Sequence, residues 1–77
     1  MPAELLTELA KRLVDRPEAV RVESIARDGD VVLRLHVDPD DVGQVIGRNG
    51  RIARALRTLV RVSSARTRGR TLLEIVE

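Results

Sequence analysis

The stretch from residue 45 to residue 52, Val45-Ile46-Gly47-Arg48-Asn49-Gly50-Arg51-Ile52, decides how the whole chain is interpreted. Two glycines and an asparagine within four residues mark a tight turn between two helical segments. Glycine admits backbone φ values closed to other residues and lets a ligand approach the chain closely. Because the turn leads into a helix N-terminus, its amides and the helix dipole can face an anion. A Gly-x-x-Gly turn taken alone is more often a plain connector between helices than a binding site.

Hydrophobic periodicity on both sides of the turn predicts the other elements. Apolar residues at helical spacing indicate a helix over about residues 3–15 and a second long helix over about 51–65. Alternating apolar residues predict two strands joined at Asp28-Gly29, a dipeptide typical of a type I′ hairpin turn. The clearer of these strands is 31–37, and a last strand runs over 71–76. The predicted order is therefore αββααβ, which places the chain in the α+β class.

Length and composition set the limits for function. With 77 residues the chain allows one domain, which we expect to span residues 1–77. It contains no cysteine, which excludes disulfides and thiolate metal sites. At 43% hydrophobic and 34% charged residues, without a signal pattern or a membrane span, it is typical of a soluble cytoplasmic protein. It also lacks Phe, Trp and Tyr, so any nucleic-acid binding must work without aromatic stacking.

Charge is sorted along the chain although the net charge is only +2. Residues 1–43 contain six basic and ten acidic side chains, whereas residues 44–73 contain eight arginines and no acid. Such a basic stretch is the pattern expected for a surface that binds a polyanion. The alternative is a solvated surface whose charge is balanced in space by the acidic first half.

The long helix after the turn separates its residues into two arcs at about 100° per residue. The apolar arc, which can pack on a sheet, consists of Ile52, Ala53, Leu56, Leu59 and Val60. The opposite arc consists of Arg51, Arg54, Arg57 and Arg61. An ordinary solvated face mixes acidic and basic residues for pairing along the helix, and this one has no acid. The helix therefore presents a ridge of guanidinium groups beside the glycine turn.

The run from Val45 to Ile52 resembles the signature of the KH domain, a hydrophobic-Ile-Gly-x-x-Gly-x-x-Ile pattern on a helix-loop-helix between two strands. The order αββααβ is similar to that of the bacterial, type II KH domain. Residues 38–60 resemble the small single-domain bacterial KH proteins of the KhpA family, with arginine where lysine is common in that family. The resemblance covers the whole chain. It implies a three-stranded mixed sheet with the helices packed on one face.

Single-stranded RNA binding is the function that this resemblance implies. In KH domains the Gly-x-x-Gly loop clamps the backbone of about four nucleotides, and bases lie in an apolar groove. The expected RNA-backbone contacts are Gly47, Arg48, Asn49, Gly50, Arg51 and Arg54. The expected groove wall is formed by Ile46, Ile52 and the strand 31–37, although the sequence does not separate groove wall from core. The chain would then act as an RNA chaperone or post-transcriptional regulator, without a cofactor.

Other chemistry finds no support in the residues. His36 has no nearby nucleophile, and Ser63 and Ser64 have no base, so we expect no enzyme. Three acidic residues, Asp38, Asp40 and Asp41, lack the spacing of a calcium loop, and capping of the short helix that Pro39 opens explains them without a metal.

Two alternatives to RNA binding remain open. The first is a protein-interaction or dimerisation module on a KH scaffold, and the second is binding of single-stranded DNA. KhpA-like proteins associate with themselves and with a larger KH-containing partner of the Jag type, so the resemblance implies both partners. The expected self-contact is the long helix, at Ala53, Ala55 and Leu59.

Overall fold

A computed structural model describes residues 2–64 and 69–76 of the chain. It contains six regular elements, which are α1 (Pro2–Leu13), β1 (Arg21–Arg27), β2 (Asp30–His36), α2 (Val42–Ile46), α3 (Arg51–Ser63) and β3 (Thr71–Ile75). The predicted order αββααβ is confirmed, with boundaries that differ by at most three residues. The predicted last residues of the long helix include Ala65, and the predicted turn before β3 begins at Arg68; both lie outside the described residues.

The sheet has the strand order β1-β2-β3, with β1 antiparallel to β2 and β2 parallel to β3. It is therefore the mixed three-stranded sheet that was predicted. Asp28 and Gly29 join β1 to β2, and both have positive φ, at 50° and 85°. A two-residue turn with this backbone matches the twist of the strands that it connects. Because β2 occupies the centre of the sheet, β1 and β3 are its two edges.

The core lies between one face of the sheet and the helices. Leu33 and Leu35 of β2 point to this face, where Leu6 of α1 and Leu56 of α3 cover them. The apolar residues that alternate along β2 and those that recur at helical spacing in α1 and α3 pack together there, as the sequence pattern predicted. Leu59 is an exception, because 43% of it is exposed. It lies about 60° around α3 from Leu56, at the edge of the apolar arc.

The other face of the sheet carries charged side chains that pair across strands. Arg34 donates to Glu74 at 3.1 Å and lies 4.0 Å from Glu23, and Glu23 also bonds the imidazole of His36. The contact with His36, followed by the charges of the neighbouring arginines, lowers the pKa of Glu23 below its usual value. At the hairpin end, Asp30 accepts hydrogen bonds from the side chain and the backbone N–H of Arg70, both at 2.9 Å. These bonds lower the pKa of Asp30.

A group of carboxylates fixes the segment that precedes the glycine turn. Asp38 accepts the backbone N–H of Asp40 at 2.9 Å, so the predicted N-cap is confirmed for the short 3₁₀ turn before α2. Arg16 donates to Asp38 and Asp40, at 3.1 and 3.2 Å. Asp41, which was assigned to capping, instead is only 2% exposed and accepts the backbone N–H of Arg16 at 3.0 Å. These bonds connect the start of α2 to Arg16, in the loop that follows α1.

Within residues 2–64 and 69–76, the model has no helix that is both long enough and apolar enough to span a bilayer.

Candidate nucleic-acid interface

The glycine turn between α2 and α3 has a backbone that its residue types explain. Gly47 has φ 76° and ψ 173°, a region that is essentially restricted to glycine. A Cβ at this position would lie 2.7 Å from Cγ1 of Ile52, so the close packing of Ile52 also requires glycine. Asn49 and Gly50 have φ values of 57° and 74°, in the left-handed region that both residue types tolerate. The turn thus needs Gly47 for two reasons and Gly50 for one.

The side chains of the turn are free to face a ligand. The N–H of Gly50 donates to the carbonyl of Gly47 at 3.1 Å, so backbone hydrogen bonding closes the turn. Arg48 and Asn49 are exposed. The turn ends at Arg51, the first residue of α3, where the helix dipole is positive. An anion at this position meets a guanidinium group, a side-chain amide and the positive end of a helix.

A groove runs from this turn along α3 and the outer edge of β3. Its first cleft has a volume of about 260 Å³ and is lined by Ile46, Gly50, Ala53, Arg54, Arg57 and Ile75. Its second cleft has a volume of about 210 Å³ and is lined by Arg57, Arg61, Thr71, Leu72 and Leu73. Arg57 is common to both clefts, and we call the two together the α3–β3 groove. Apolar residues from the helix and the strand form its floor, and arginines of α3 form its rim.

Some of the residues predicted for the site line this groove and others do not. Ile46, Gly50 and Arg54 line the first cleft. Ile52 instead packs against Gly47 and the core, and Arg51 is exposed but lines neither cleft.

The strand expected to form the groove wall is the central strand of the sheet. Its inward residues Leu33 and Leu35 belong to the core, and β3 forms the wall instead. Ile75, Leu73 and Thr71 were therefore missed as groove residues, because the sequence pattern does not show which strand lies at the edge beside α3.

The arginines around the groove have no acidic partners among the residues that the structure describes. Within the described part of the chain, no carboxylate lies within 4.0 Å of the guanidinium groups of Arg48, Arg51, Arg54, Arg57 or Arg61. By contrast, three arginines elsewhere form ion pairs, namely Arg16, Arg34 and Arg70. Unpaired guanidinium groups keep their five N–H donors available for phosphate oxygens. The groove therefore has the charge and the donors that a nucleic-acid backbone needs.

A larger cleft lies elsewhere, between α1 and β1, with a volume of about 340 Å³. It is lined by Ala3, Glu4, Thr7, Glu8 and Val22. Its two carboxylates repel a polyanion. The α3–β3 groove is therefore the better candidate for a nucleic-acid site, although each of its two clefts is smaller. Among the residues that the structure describes, no three potential metal ligands come together.

Comparison with known proteins identifies the family. The family model described as "KhpA/KhpB, KH domain" matches residues 3–75. This chain belongs to the KhpA/KhpB KH-domain family. The predicted type II KH resemblance and the α+β fold are thus confirmed. The prediction that the chain is not an enzyme is also confirmed, since this family is non-enzymatic and its curated relatives are named RNA-binding proteins.

Relatives within the KhpA/KhpB family align over most of both chains. The chain is 47% identical over 77 residues to "RNA-binding protein KhpA" of Treponema pallidum, covering 100% of this chain and 96% of that protein. It is 44% identical over 73 residues to the protein of the same name from Caldanaerobacter subterraneus, covering 95% and 97%. The Aquifex aeolicus protein of that name is 48% identical over 68 residues, covering 88% and 86%. No solved structure gave a significant match.

Proposed function

We propose that this KH domain binds single-stranded RNA in the α3–β3 groove, with the glycine turn clamping the backbone. The observation that supports the proposal most strongly is a glycine turn that opens directly into an apolar groove, whose rim arginines have no carboxylate partner within residues 2–64 and 69–76. The relatives named RNA-binding protein KhpA agree with it. The whole chain, residues 1–77, acts as one KH domain in this proposal.

The proposed contacts divide between backbone and bases. Gly47 and Gly50 let the chain approach a phosphate, and Arg48 and Asn49 donate to its oxygens. Arg51 and Arg54 extend the positive surface along the first turn of α3. Bases lie on the apolar floor of the first cleft, which includes the sequence-predicted Ile46 together with two residues identified from the structure, Ala53 and Ile75. Ile52 supports the turn from beneath through its packing against Gly47.

A binding titration with three ligands of equal length tests the proposal. We expect single-stranded RNA to bind, and duplex RNA to bind at least tenfold more weakly, because a clamp on one backbone and an apolar floor for bases both need an unpaired strand. Single-stranded DNA is the third ligand, since the lining residues include no evident reader of the 2′-hydroxyl. Stronger binding of duplex RNA than of either single strand would contradict the proposal.

A variant of the turn tests the clamp itself. The double substitution Arg48→Asp with Asn49→Asp changes the local charge by −3 at two exposed side chains, so the fold is expected to be retained. The matched control is Arg12→Asp with Ala19→Asp, which makes the same charge change at exposed positions outside the groove. We expect the turn variant to lose at least tenfold more affinity for RNA than the control. Equal losses would mean that overall charge, and not the turn, determines binding.

A second candidate function is association with another protein, and the outer side of α3 favours it. Leu59 is 43% exposed and Val62 is 66% exposed, and Ala55 is also exposed. Ala53, expected in the same contact, is buried and lines the groove instead. A homodimer and a complex with a larger Jag-type KH protein are both proposals for this surface.

Sedimentation of Leu59→Asp tests the homodimer. We expect a doubled mass for the unchanged protein and an 8.6 kDa species for a variant that remains folded. An 8.6 kDa species for the unchanged protein at all micromolar concentrations would contradict self-association.

In the cell, we propose a role as an RNA chaperone or post-transcriptional regulator. A small basic groove without aromatic rings holds RNA largely through the phosphate backbone, and contacts to phosphates carry no sequence information directly. Such a protein can act on many transcripts. The place of action in this proposal is the cytoplasm, where single-stranded RNA is available.

A further inference from the structure

The glycine turn is positioned by α2, a helix of only five residues. Gly47 is the C-cap of this helix, and its N–H donates to the carbonyl of Gly43 at 2.9 Å. Ile46, the last residue of α2, lines the first cleft of the α3–β3 groove. A helix this short has little stability of its own, so contacts with the rest of the chain must hold it in place. The location of the turn and of part of the groove floor therefore depends on what holds α2.

The start of α2 is held by an aspartate whose side chain does not cap the helix. Asp41 occupies the N-cap position of α2, where an aspartate side chain ordinarily accepts a backbone N–H of the first turn. The Asp41 side chain makes no such bond and instead accepts the N–H of Arg16, 25 residues earlier in the chain. Asp41 is also buried. Its bond therefore connects α2 to the loop after α1 and does not stabilise the helix locally.

The side chain of Arg16 adds to this connection. Its guanidinium group donates to Asp38 at 3.1 Å and to Asp40 at 3.2 Å, and both carboxylates belong to the segment that leads into α2. Arg16 thus contacts three positions at the start of α2, one through its backbone and two through its side chain. Neither Arg16 nor Asp41 lines either cleft of the α3–β3 groove. Their place in the fold is that of a support for α2 and not that of an RNA contact.

We propose that Asp41 and Arg16 are positioning residues of the RNA site, which hold α2 so that the glycine turn and Ile46 meet the RNA together. The proposal rests on the RNA-binding function proposed above. The bond from the N–H of Arg16 to Asp41 is the main contact, because the carboxylate is buried. The ion pairs of the Arg16 side chain contribute less, since exposed pairs are weakened by water and salt.

Three variants test the role of Asp41 in a titration with single-stranded RNA. Asp41→Ala removes the acceptor, whereas Asp41→Asn keeps a carbonyl oxygen at the same place. Val32→Ala is the control for a general loss of stability, because Val32 is buried on the sheet face opposite the helices. We expect Asp41→Ala to bind RNA at least tenfold more weakly than the unchanged protein. Asp41→Asn should stay within threefold, and Val32→Ala within twofold.

Amide NMR spectra of the free protein give a readout that a loss of stability alone does not change. The signals of Gly47 and Gly50 should shift in Asp41→Ala, because the turn moves with α2. The same signals should remain close to their original positions in Asp41→Asn and in Val32→Ala. The spectra also show that each variant is folded.

A variant of Arg16 tests the same connection at an exposed side chain, where the fold is expected to be retained. Arg16→Gln removes the guanidinium group and keeps the backbone N–H. Its matched control is Arg12→Gln, which makes the same charge change at an exposed residue of α1 outside the groove. We expect Arg16→Gln to lose at least threefold more affinity for RNA than Arg12→Gln. If Asp41→Ala does not fold, this comparison decides the proposal.

Two results would overturn the role of Asp41. They are a folded Asp41→Ala protein that binds RNA within twofold of the unchanged protein, and equal losses of affinity in Asp41→Ala and Val32→Ala. Equal losses in Arg16→Gln and Arg12→Gln would overturn the role of the Arg16 side chain. Failure of the proposed function gives a different result, in which the unchanged protein binds no single-stranded RNA or the double variant of the glycine turn binds it normally.

Discussion

Arginine has two different environments on the two sides of β3. On the open sheet face, Arg34 lies between Glu23 and Glu74, and Arg70 is held by Asp30. In the α3–β3 groove, the arginines of α3 have no acidic partner within the described residues. Both surfaces are exposed, and both contain the same residue type.

The difference lies in pairing and not in the number of arginines, and it separates the open sheet face from the surface proposed to bind RNA. A paired guanidinium group has donors already engaged, and an exposed pair contributes little to stability. An unpaired one keeps its donors for an anion. Arg70 belongs to the acid-free stretch of sequence, yet Asp30, forty residues earlier in the chain, pairs with it. Substitutions on the two surfaces should therefore affect different measurements.

The largest expected effect comes from Gly47, which belongs to the glycine turn and is packed closely against Ile52. Gly47→Ala should lower the free energy of unfolding by about 3 kcal/mol, because the backbone is restricted to glycine and the added methyl group collides with Ile52. Gly50→Ala should cost only about 1 kcal/mol, because its left-handed φ is strained but nothing within 3.4 Å opposes the methyl group. Urea unfolding measures both. Equal costs would contradict the separate reasons given for the two glycines.

Removing charge from the groove should affect binding alone. The double substitution Arg54→Gln with Arg57→Gln is expected to weaken RNA binding at least tenfold, or about 1.4 kcal/mol. Both side chains are exposed and have no ion-pair partner in the described part of the chain, so the free energy of unfolding should change by less than about 0.5 kcal/mol. Anisotropy titration and urea unfolding, carried out on the same sample, separate the two quantities. If this variant lost as much free energy of unfolding as free energy of RNA binding, the groove and the open sheet face would not differ in the way described above.

Removing charge from the open sheet face should lower the stability of the protein and leave its RNA affinity unchanged. Arg34→Gln leaves Glu23 and Glu74 close together without a cation between them, so Tm should fall by roughly 2–5 °C. RNA affinity should stay within twofold of the unchanged protein. Thermal unfolding followed by circular dichroism gives the first value, and the RNA titration gives the second. A clear loss of affinity in this variant would extend the RNA site to the sheet face.

The smallest effect concerns pH. The pKa of Asp30 is lowered from 3.8 in the folded state by its bonds to Arg70, so its ionised form favours folding. That contribution is fully present above the unfolded value and disappears as the pH falls through the lower folded value. Asp30→Asn should therefore be less stable than the unchanged protein at pH 7, and the difference should shrink as the pH falls below 3.8. A difference that is constant between pH 7 and pH 2 would show that the charge of Asp30 does not stabilise the fold.

Local backbone chemistry explains which features could be predicted from the sequence. Asp28-Gly29 and the turn from Gly47 to Gly50 were predicted because positive φ favours a few residue types at those positions. The core faces of β2 and α3 were predicted because their apolar residues repeat with the period of each element. The KH family and the order of elements follow from these local signals and from the signature of the turn. The RNA contacts of the turn stay predictions until they are measured.

By itself, the sequence determined the elements, the turn and the acid-free ridge of arginines, since each depends on residues close together in the chain. Only the tertiary structure decided that β3 and not β2 forms the groove wall, because strand order depends on which distant segments pair. It also decided that Asp41 is buried against the backbone of Arg16 and that Leu59 faces outward. Pairing across twenty-five to forty residues of chain leaves no local pattern, because any acidic or basic residue can serve as the partner.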